Sequence, residues 1–244
     1  MSSFENETFI THLEALRGML LNSITSIALL SPVGFWAAPK FIDFLIKNSL
    51  PENMPQLHYF SPMDVFLIQI KIGVLLAFIL AYPYIVYEVI KFVKPALYKH
   101  ESKFMISLIV SASLLFILGG VFCIYTILPL IMNFSAGFST EYIAPTIGLS
   151  QFVTLALGLI LAFGVMFEIP LVVILCVKFG LVEVSSLKHL RPYIIVSILI
   201  AAGILTPPDI ISQLMLGVPT YLLFELGILI AGKFSVKTKG IIYD

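Results

Sequence analysis

The chain has 244 residues, of which 59% are hydrophobic and 11% charged, with a mean hydropathy of +1.06. A water-soluble domain keeps about a quarter of its residues charged to wet its surface, so these figures exclude one and describe an integral membrane protein. Formal net charge is zero, and orientation must be read from where Lys and Arg lie, because the loops beside the membrane decide it and the sum does not.

The N-terminal MSSFENE is acidic where a cleavable signal needs a basic start, and no small-x-small site follows the first apolar run, so the first span is expected to stay in the mature chain. Phe9, Leu13, Leu16 and Leu20 recur at helical spacing, with Thr11, His12, Glu14 and Arg17 mostly off that stripe. This predicts an amphipathic helix in the inner interface, running into a first span over about 18–38. Trp36 is its outer anchor, and Gly34 and Pro39 mark its exit. In the PKFIDFLIKNSL that follows, Lys40, Asp43 and Lys47 share one face. Its apolar stretch is too short for a hydrocarbon core of about 30 Å, so an outer interfacial helix is expected. Residues 51–64 hold three prolines and read as extended before SPMDVF caps a second span over about 66–90. That span carries Lys71 near its outer end, where the side chain can snorkel, and Pro83 as a kink.

Between Lys91 and Lys103 lie four lysines, Lys91, Lys94, Lys99 and Lys103, and one carboxylate, Glu101, which places this loop on the cytoplasmic side. A third span over about 104–130 leads to residues 131–150, which contain no Lys or Arg, as suits an outer loop. The fourth span, about 151–177, holds Glu168 well inside it, and residues 178–191 add Lys178, Lys188 and Arg191 on the inner side. From Pro192 to Leu205 only 14 residues precede TPPD, about 21 Å of helix. Either the bilayer thins there or the last hairpin is partly inserted; both give the same parity. The final run, about 213–232, contains Pro219 and Glu225 and ends in a tail with Lys233, Lys237 and Lys239. Inner segments thus carry eleven Lys and Arg residues, counting Arg17, and outer segments two, Lys40 and Lys47, with Lys71 at a border. The expectation is an all-α integral membrane protein of six transmembrane helices in one polytopic domain, the last two spans short and both termini cytoplasmic.

Cys123 and Cys176 fall near opposite ends of their spans and read as unbridged small hydrophobes. His12, His58, His100 and His189 form no HxxxH pair, so no metal site is expected. An intramembrane hydrolase fails on inventory, since Ser197 and the other span serines have no membrane-embedded His or Lys base. A coupled transporter built on Glu168, Glu225 and Lys71 lacks the paired, Gly/Pro-interrupted spans of inverted repeats.

THLEALR at 11–17, PALYKHE at 95–101, FEIP at 167–170, RPY at 191–193 and TPPDIISQ at 206–213 resemble, in that order and over nearly the whole chain, the signature segments of the TatC family. TatC is the multi-spanning receptor subunit of the twin-arginine protein translocase. The resemblance implies a protein of the cytoplasmic (inner) membrane without enzyme activity, cofactor or nucleic-acid partner. It would bind signal peptides with consecutive arginines and, with single-span TatA- and TatB-type partners and in several copies, export folded precursors on the proton-motive force. It implies further that Glu101 and Glu14 hold the two guanidinium groups, with Arg17 in the same motif and Phe92 on the same surface. Glu168 would lie in an intramembrane pocket, and Thr206 and Gln213 would contact partner helices around the turn of Pro207, Pro208 and Asp209. A carboxylate accepts the planar arginine fork through paired hydrogen bonds that lysine cannot reproduce. Where the family reads HLxELR, this chain has His12-Leu13-Glu14-Ala15-Leu16-Arg17, its carboxylate one position earlier and so about 100° around a helix. On the residues alone, Glu101 equally suits pairing with its neighbouring lysines, Phe92 an aromatic belt, Glu168 a neutral hydrogen bond between helices, and Asp209 a cap on the following helix.

Overall fold

In lipid each backbone N–H and C=O must be satisfied within its own segment, so long apolar runs fold as helices. The computed structural model describes residues 2–51, 57–93, 102–137, 146–205 and 210–239. In chain order its elements are α1 (Ser2–Ser49), α2 (Pro62–Val93), α3 (Ser102–Phe122), a π-helical turn (Cys123–Ile127), α4 (Leu128–Ala136), α5 (Leu149–Met166), α6 (Ile169–Lys178), α7 (Val184–His189), α8 (Arg191–Leu205) and α9 (Ile210–Lys239). By length and composition, His12–Ser49, Pro62–Phe92, Phe104–Ala136, Leu149–Lys178 and Gln213–Lys233 can each cross a membrane, while the apolar Arg191–Ile204 is shorter. The all-helical membrane class expected from sequence is the observed one. Among the described residues the only extended pairing is an isolated parallel bridge between His58 and Gly148, with His58 N–H donating to Ile147 O at 3.2 Å and Leu149 N–H to His58 O at 2.8 Å.

Two elements differ from expectation, while the SPMDVF cap on the second apolar run is found as expected. The predicted exit at Gly34 and Pro39 and the separate outer helix after it are replaced by one helix, α1, that runs through Pro32 and Pro39. Each proline removes one donor but keeps a helical φ, and burial of Leu45 and Ser49 holds the final turns in place. The third apolar run continues to Ala136 and contains the π turn, in which Leu128 N–H reaches back to Cys123 O. Pro129 follows at the start of α4. It cannot donate to the Tyr125 carbonyl and its ring crowds that carbonyl, and a widened turn just upstream relieves the crowding. Helix α2 begins at Pro62 because a capping box fixes it there: Ser61 Oγ accepts from Met63 N–H at 3.3 Å, and the Asp64 carboxylate accepts from Ser61 N–H at 3.1 Å.

The chain divides into two compact units, one of Met1–Asp43 with Phe66–Ser113, the other of Phe44–Val65 with Leu114–Asp244. In the first, α1 and α2 run antiparallel: His12 meets Phe92 at one end and Phe35 meets Phe66 at the other. Between these contacts the helices touch backbone to backbone at Gly34 and Gly73, where a Cβ on Gly73 would fall 2.9 Å from the Phe35 nitrogen. Without a hydrophobic driving force in lipid, such close approach at small residues supplies the packing. Trp36 is 77% exposed with the Lys40 ammonium 5.4 Å from its ring centre, an arrangement suited to an interface anchor.

The second unit is organised on buried side chains of α3–α5 such as Phe116, Leu128, Phe152, Ile160 and Phe163. Its other cluster joins α6, α7 and α9 through Val173, Leu187, Phe224, Ile228 and Ala231. Helix α6 ends in a Schellman turn, with Gly180 at φ 70° and Leu181 N–H donating to Cys176 O at 2.9 Å, which steers the chain into α7. Cys123 is buried and Cys176 half-buried, both as free thiols.

Candidate functional site

Sequence reasoning placed recognition on the N-terminal motif and on the loop after α2. The rings of His12 and Phe92 lie 4.5 Å apart with a 31° tilt, so the end of α2 packs on THLEALR. Glu14 and Arg17 are both exposed on α1. Two residues of helix are about 200° of rotation, so Glu14 stands nearly opposite the side of α1 on which His12 meets Phe92. The contact joins two of the expected recognition segments while directing the Glu14 carboxylate away from it. Glu101 lies outside the described residues, as do Lys94 and Lys99.

One turn before Phe92 the sequence reading passed over Glu88. It is 5% exposed, and the Lys91 ammonium is 3.6 Å from Oε1. Tyr84, one turn earlier still, is its hydrogen-bonding neighbour. The signal was available, since an ionisable side chain inside an apolar run is a functional candidate by default.

Glu168 sits where α5 gives way to α6. Phe167 N–H donates to Phe163 O at 3.0 Å, but Glu168 N–H reaches only three residues back, to Val165 O at 3.1 Å, so the helix tightens locally. Pro170 is the cause: it offers no N–H to the Met166 carbonyl and its ring crowds that carbonyl. Glu168 thereby becomes the N-cap of α6, its carbonyl accepting from Val172 N–H at 3.0 Å, with the residue itself half-buried. Around this junction Phe122 lies 5.8 Å from Phe163 and 5.5 Å from Phe167, ring to ring. The Thr220 hydroxyl of α9 is 3.0 Å from the Met166 sulfur and 2.7 Å from the Leu216 carbonyl. A half-buried carboxylate is thus set at a tightened turn with aromatic rings and a buried hydroxyl close by in the fold.

At the start of α8, Arg191 Nη2 donates to Glu225 Oε2 of α9 at 2.7 Å, and the Tyr221 hydroxyl donates to Oε1 at 2.8 Å. Sequence reasoning noted Glu225 as an intramembrane carboxylate without finding these partners. Further along, Gln213 Nε2 donates to the Leu199 carbonyl at 2.6 Å, crossing from α9 to α8. Between the two helices runs an almost wholly apolar groove of about 210 Å³, lined by Ile195, Ile198, Leu214, Val218 and Leu222 among others. Thr206, Pro207, Pro208 and Asp209 lie outside the described residues. Among the described residues no three His, Cys, Asp or Glu side chains gather as metal ligands would.

Residues 11–219 match the family model TatC, described as Sec-independent protein translocase protein (TatC). The chain is similar to the Sec-independent protein translocase protein TatC of Escherichia coli strain K12, 35% identical over 231 residues that make up 93% of this chain and 89% of that one. To the protein of the same name from Haemophilus influenzae it is 34% identical over 236 residues, 96% of this chain and 92% of that one. To that of Helicobacter pylori strain 26695 it is 36% identical over 222 residues, 90% and 85% respectively. A crystal structure of the twin arginine translocase receptor TatC in DDM superposes with a TM-score of 0.82 at 32% identity, covering 90% of this chain and 99% of that chain.

Proposed function

The chain belongs to the TatC family of Sec-independent protein translocase proteins, a translocase family and not an enzyme family, and from that premise we propose that it is the receptor for twin-arginine signal peptides. In this reading it lies in the cytoplasmic membrane with both termini inside and with α8 as a sixth, short span. The eleven-to-two bias of Lys and Arg supports that orientation.

The observation that carries the reading is the His12–Phe92 contact, which brings THLEALR against the end of α2, three residues before PALYKHE begins. Two regions far apart in sequence, the N-terminal motif and the end of α2, so meet at one rim, which this reading places on the cytoplasmic side. An exposed ion pair is worth about 0–1 kcal/mol, whereas micromolar affinity needs about 8 kcal/mol. Two arginines therefore cannot supply the binding, and the apolar part of the signal peptide must pack against spans. Glu168 is assigned to the pocket that receives it. A charged carboxylate at mid-span costs about 2.5–3.5 kcal/mol on insertion scales, which favours a position facing protein or water.

The α8–α9 groove is assigned to the single helices of TatA- and TatB-type partners, with Gln213 and Thr206 as polar contact points near the hairpin turn. A greasy groove between two helices suits a transmembrane helix, because packing and a few interhelical hydrogen bonds drive association in lipid. The Arg191–Glu225 pair weighs against a coupled transporter, since it fixes one of the carboxylates such a mechanism would need to move protons.

The test is co-purification of the full-length protein with a tagged twin-arginine precursor, compared with its Lys-Lys variant. Preferential capture of the Arg-Arg form is expected, and Glu101→Ala abolishes signal-peptide crosslinking while insertion and abundance stay normal. Equal capture of both precursors would remove the receptor reading; undiminished crosslinking of the variant would remove Glu101 from the site.

A further inference from the structure

Among the described residues, Glu88 is the one charged side chain that is buried, at 5% exposure. It sits four residues before the inner end of the apolar run Pro62–Phe92. The fold holds a second partly buried carboxylate for comparison. Glu225 takes a guanidinium nitrogen at 2.7 Å and a phenol at 2.8 Å, the short contacts of charge-assisted hydrogen bonds. Glu88 has a phenol partner in Tyr84 but, among the described residues, no guanidinium. Its cation, the Lys91 ammonium, stands off at 3.6 Å, outside hydrogen-bonding distance for N–H···O, on a side chain that is itself 57% exposed. Among the described residues this buried carboxylate is met by one phenol and one loose, solvent-facing ammonium, so it lacks a short contact to a cation.

The position of Glu88 sets this carboxylate beside the proposed recognition surface. Glu88 and Phe92 are four residues apart and share a face of α2. Phe92 meets His12, and because α1 and α2 are antiparallel, Glu88 comes level with Ala15 and Leu16, four residues along from that contact. Glu14 points away from this side of α1. The face of the rim that carries the His12–Phe92 stack therefore takes its acidic group from α2.

We propose that Glu88 accepts one of the two guanidinium groups of the signal peptide, and that Lys91 is a placeholder which the incoming arginine displaces. This rests on the receptor reading and deepens it by naming what sets the preference for arginine over lysine. A peptide lysine arriving at Glu88 exchanges one ammonium for another with no gain in geometry. An arginine offers a planar fork and is more weakly hydrated, so it loses less on leaving water and makes two bonds where lysine makes one.

The experiment measures binding of a labelled twin-arginine signal peptide and its Lys-Lys counterpart to the full-length protein in lipid nanodiscs. In Glu88→Gln, which keeps size and shape, affinity for the Arg-Arg peptide is expected to fall about ten-fold, while the Lys-Lys peptide is nearly unaffected and the preference collapses. In Lys91→Met the Arg-Arg peptide is expected to bind roughly three-fold tighter, a gain lost in the double variant. If both peptides weaken equally in Glu88→Gln, or neither does, the preference persists and Glu88 has only a structural role, which overturns this inference alone. Unchanged or weaker binding in Lys91→Met overturns the placeholder. A wild-type protein without any Arg-Arg preference would overturn the receptor reading and this inference together.

Discussion

Arg191 and Glu225 are 34 residues apart in sequence and 2.7 Å apart in space, with Tyr221 completing the carboxylate's hydrogen bonds. Such a pair links the start of α8 to the middle of α9 and sets their register. Charge-assisted hydrogen bonds of this kind are worth about 1.5–3 kcal/mol, less where solvent reaches them, and Arg191 is 40% exposed. A double-mutant cycle on Arg191→Met and Glu225→Gln, read by thermal unfolding in detergent, is expected to give a coupling of about 1–2 kcal/mol. A coupling near zero would mean that apolar packing alone holds the hairpin. Both residues stood in plain view in the sequence, one opening RPY and one inside an apolar run. Their pairing did not, because it depends on the hairpin register. Glu88 was visible too, as an ionisable side chain inside an apolar run, but its burial was not, because that depends on how α2 is rotated against its neighbours.

At the scale of single elements, prolines decide where the helices depart from regularity, and the outcome differs with what surrounds each one. Pro32 and Pro39 leave α1 unbroken, Pro129 follows a π turn, and Pro170 tightens the turn that holds Glu168. The Pro170 junction gives a paired prediction. Pro170→Ala restores a donor to the Met166 carbonyl and removes a penalty of up to about 3 kcal/mol, so the protein is expected to melt at a higher temperature. If the tightened turn is what aims Glu168, the same variant exports precursor as poorly as Glu168→Gln, with abundance normal and Arg-Arg recognition retained in both. Wild-type export in either variant would reduce the junction to a packing detail. The sequence marks the proline and the glutamate but not the outcome, since a proline in a helix can bend, widen or tighten a turn according to its neighbours.

For the whole molecule, orientation follows from charge placement and can be tested directly. Tyr59 and Ser186 are both exposed, Tyr59 in the segment before α2 and Ser186 on α7. In a protein whose Cys123 and Cys176 are replaced by alanine, a thiol introduced by Tyr59→Cys is expected to react with a membrane-impermeant maleimide in intact cells. One introduced by Ser186→Cys is expected to react only in inverted vesicles. The reverse pattern would invert the topology and place the proposed rim on the wrong side of the membrane. Side chains such as Leu29, at 78% exposure, and Ile204, at 79%, carry apolar surface outward, as a chain whose solvent is partly hydrocarbon requires.

By itself the sequence determined the helical membrane class, the long apolar helices and the candidate recognition motifs. Hydrophobic run length and local charge are one-dimensional properties that lipid reads directly. The tertiary structure alone decided that Phe92 packs on His12, that Glu225 belongs to Arg191, and that Glu88 is buried beside Tyr84 with its nearest described cation, Lys91, at 3.6 Å. Each of these depends on the rotation and register of one helix against another. Those are fixed by side-chain shape at close contacts such as Gly34 with Gly73, a property of pairs of surfaces that no single run of residues contains.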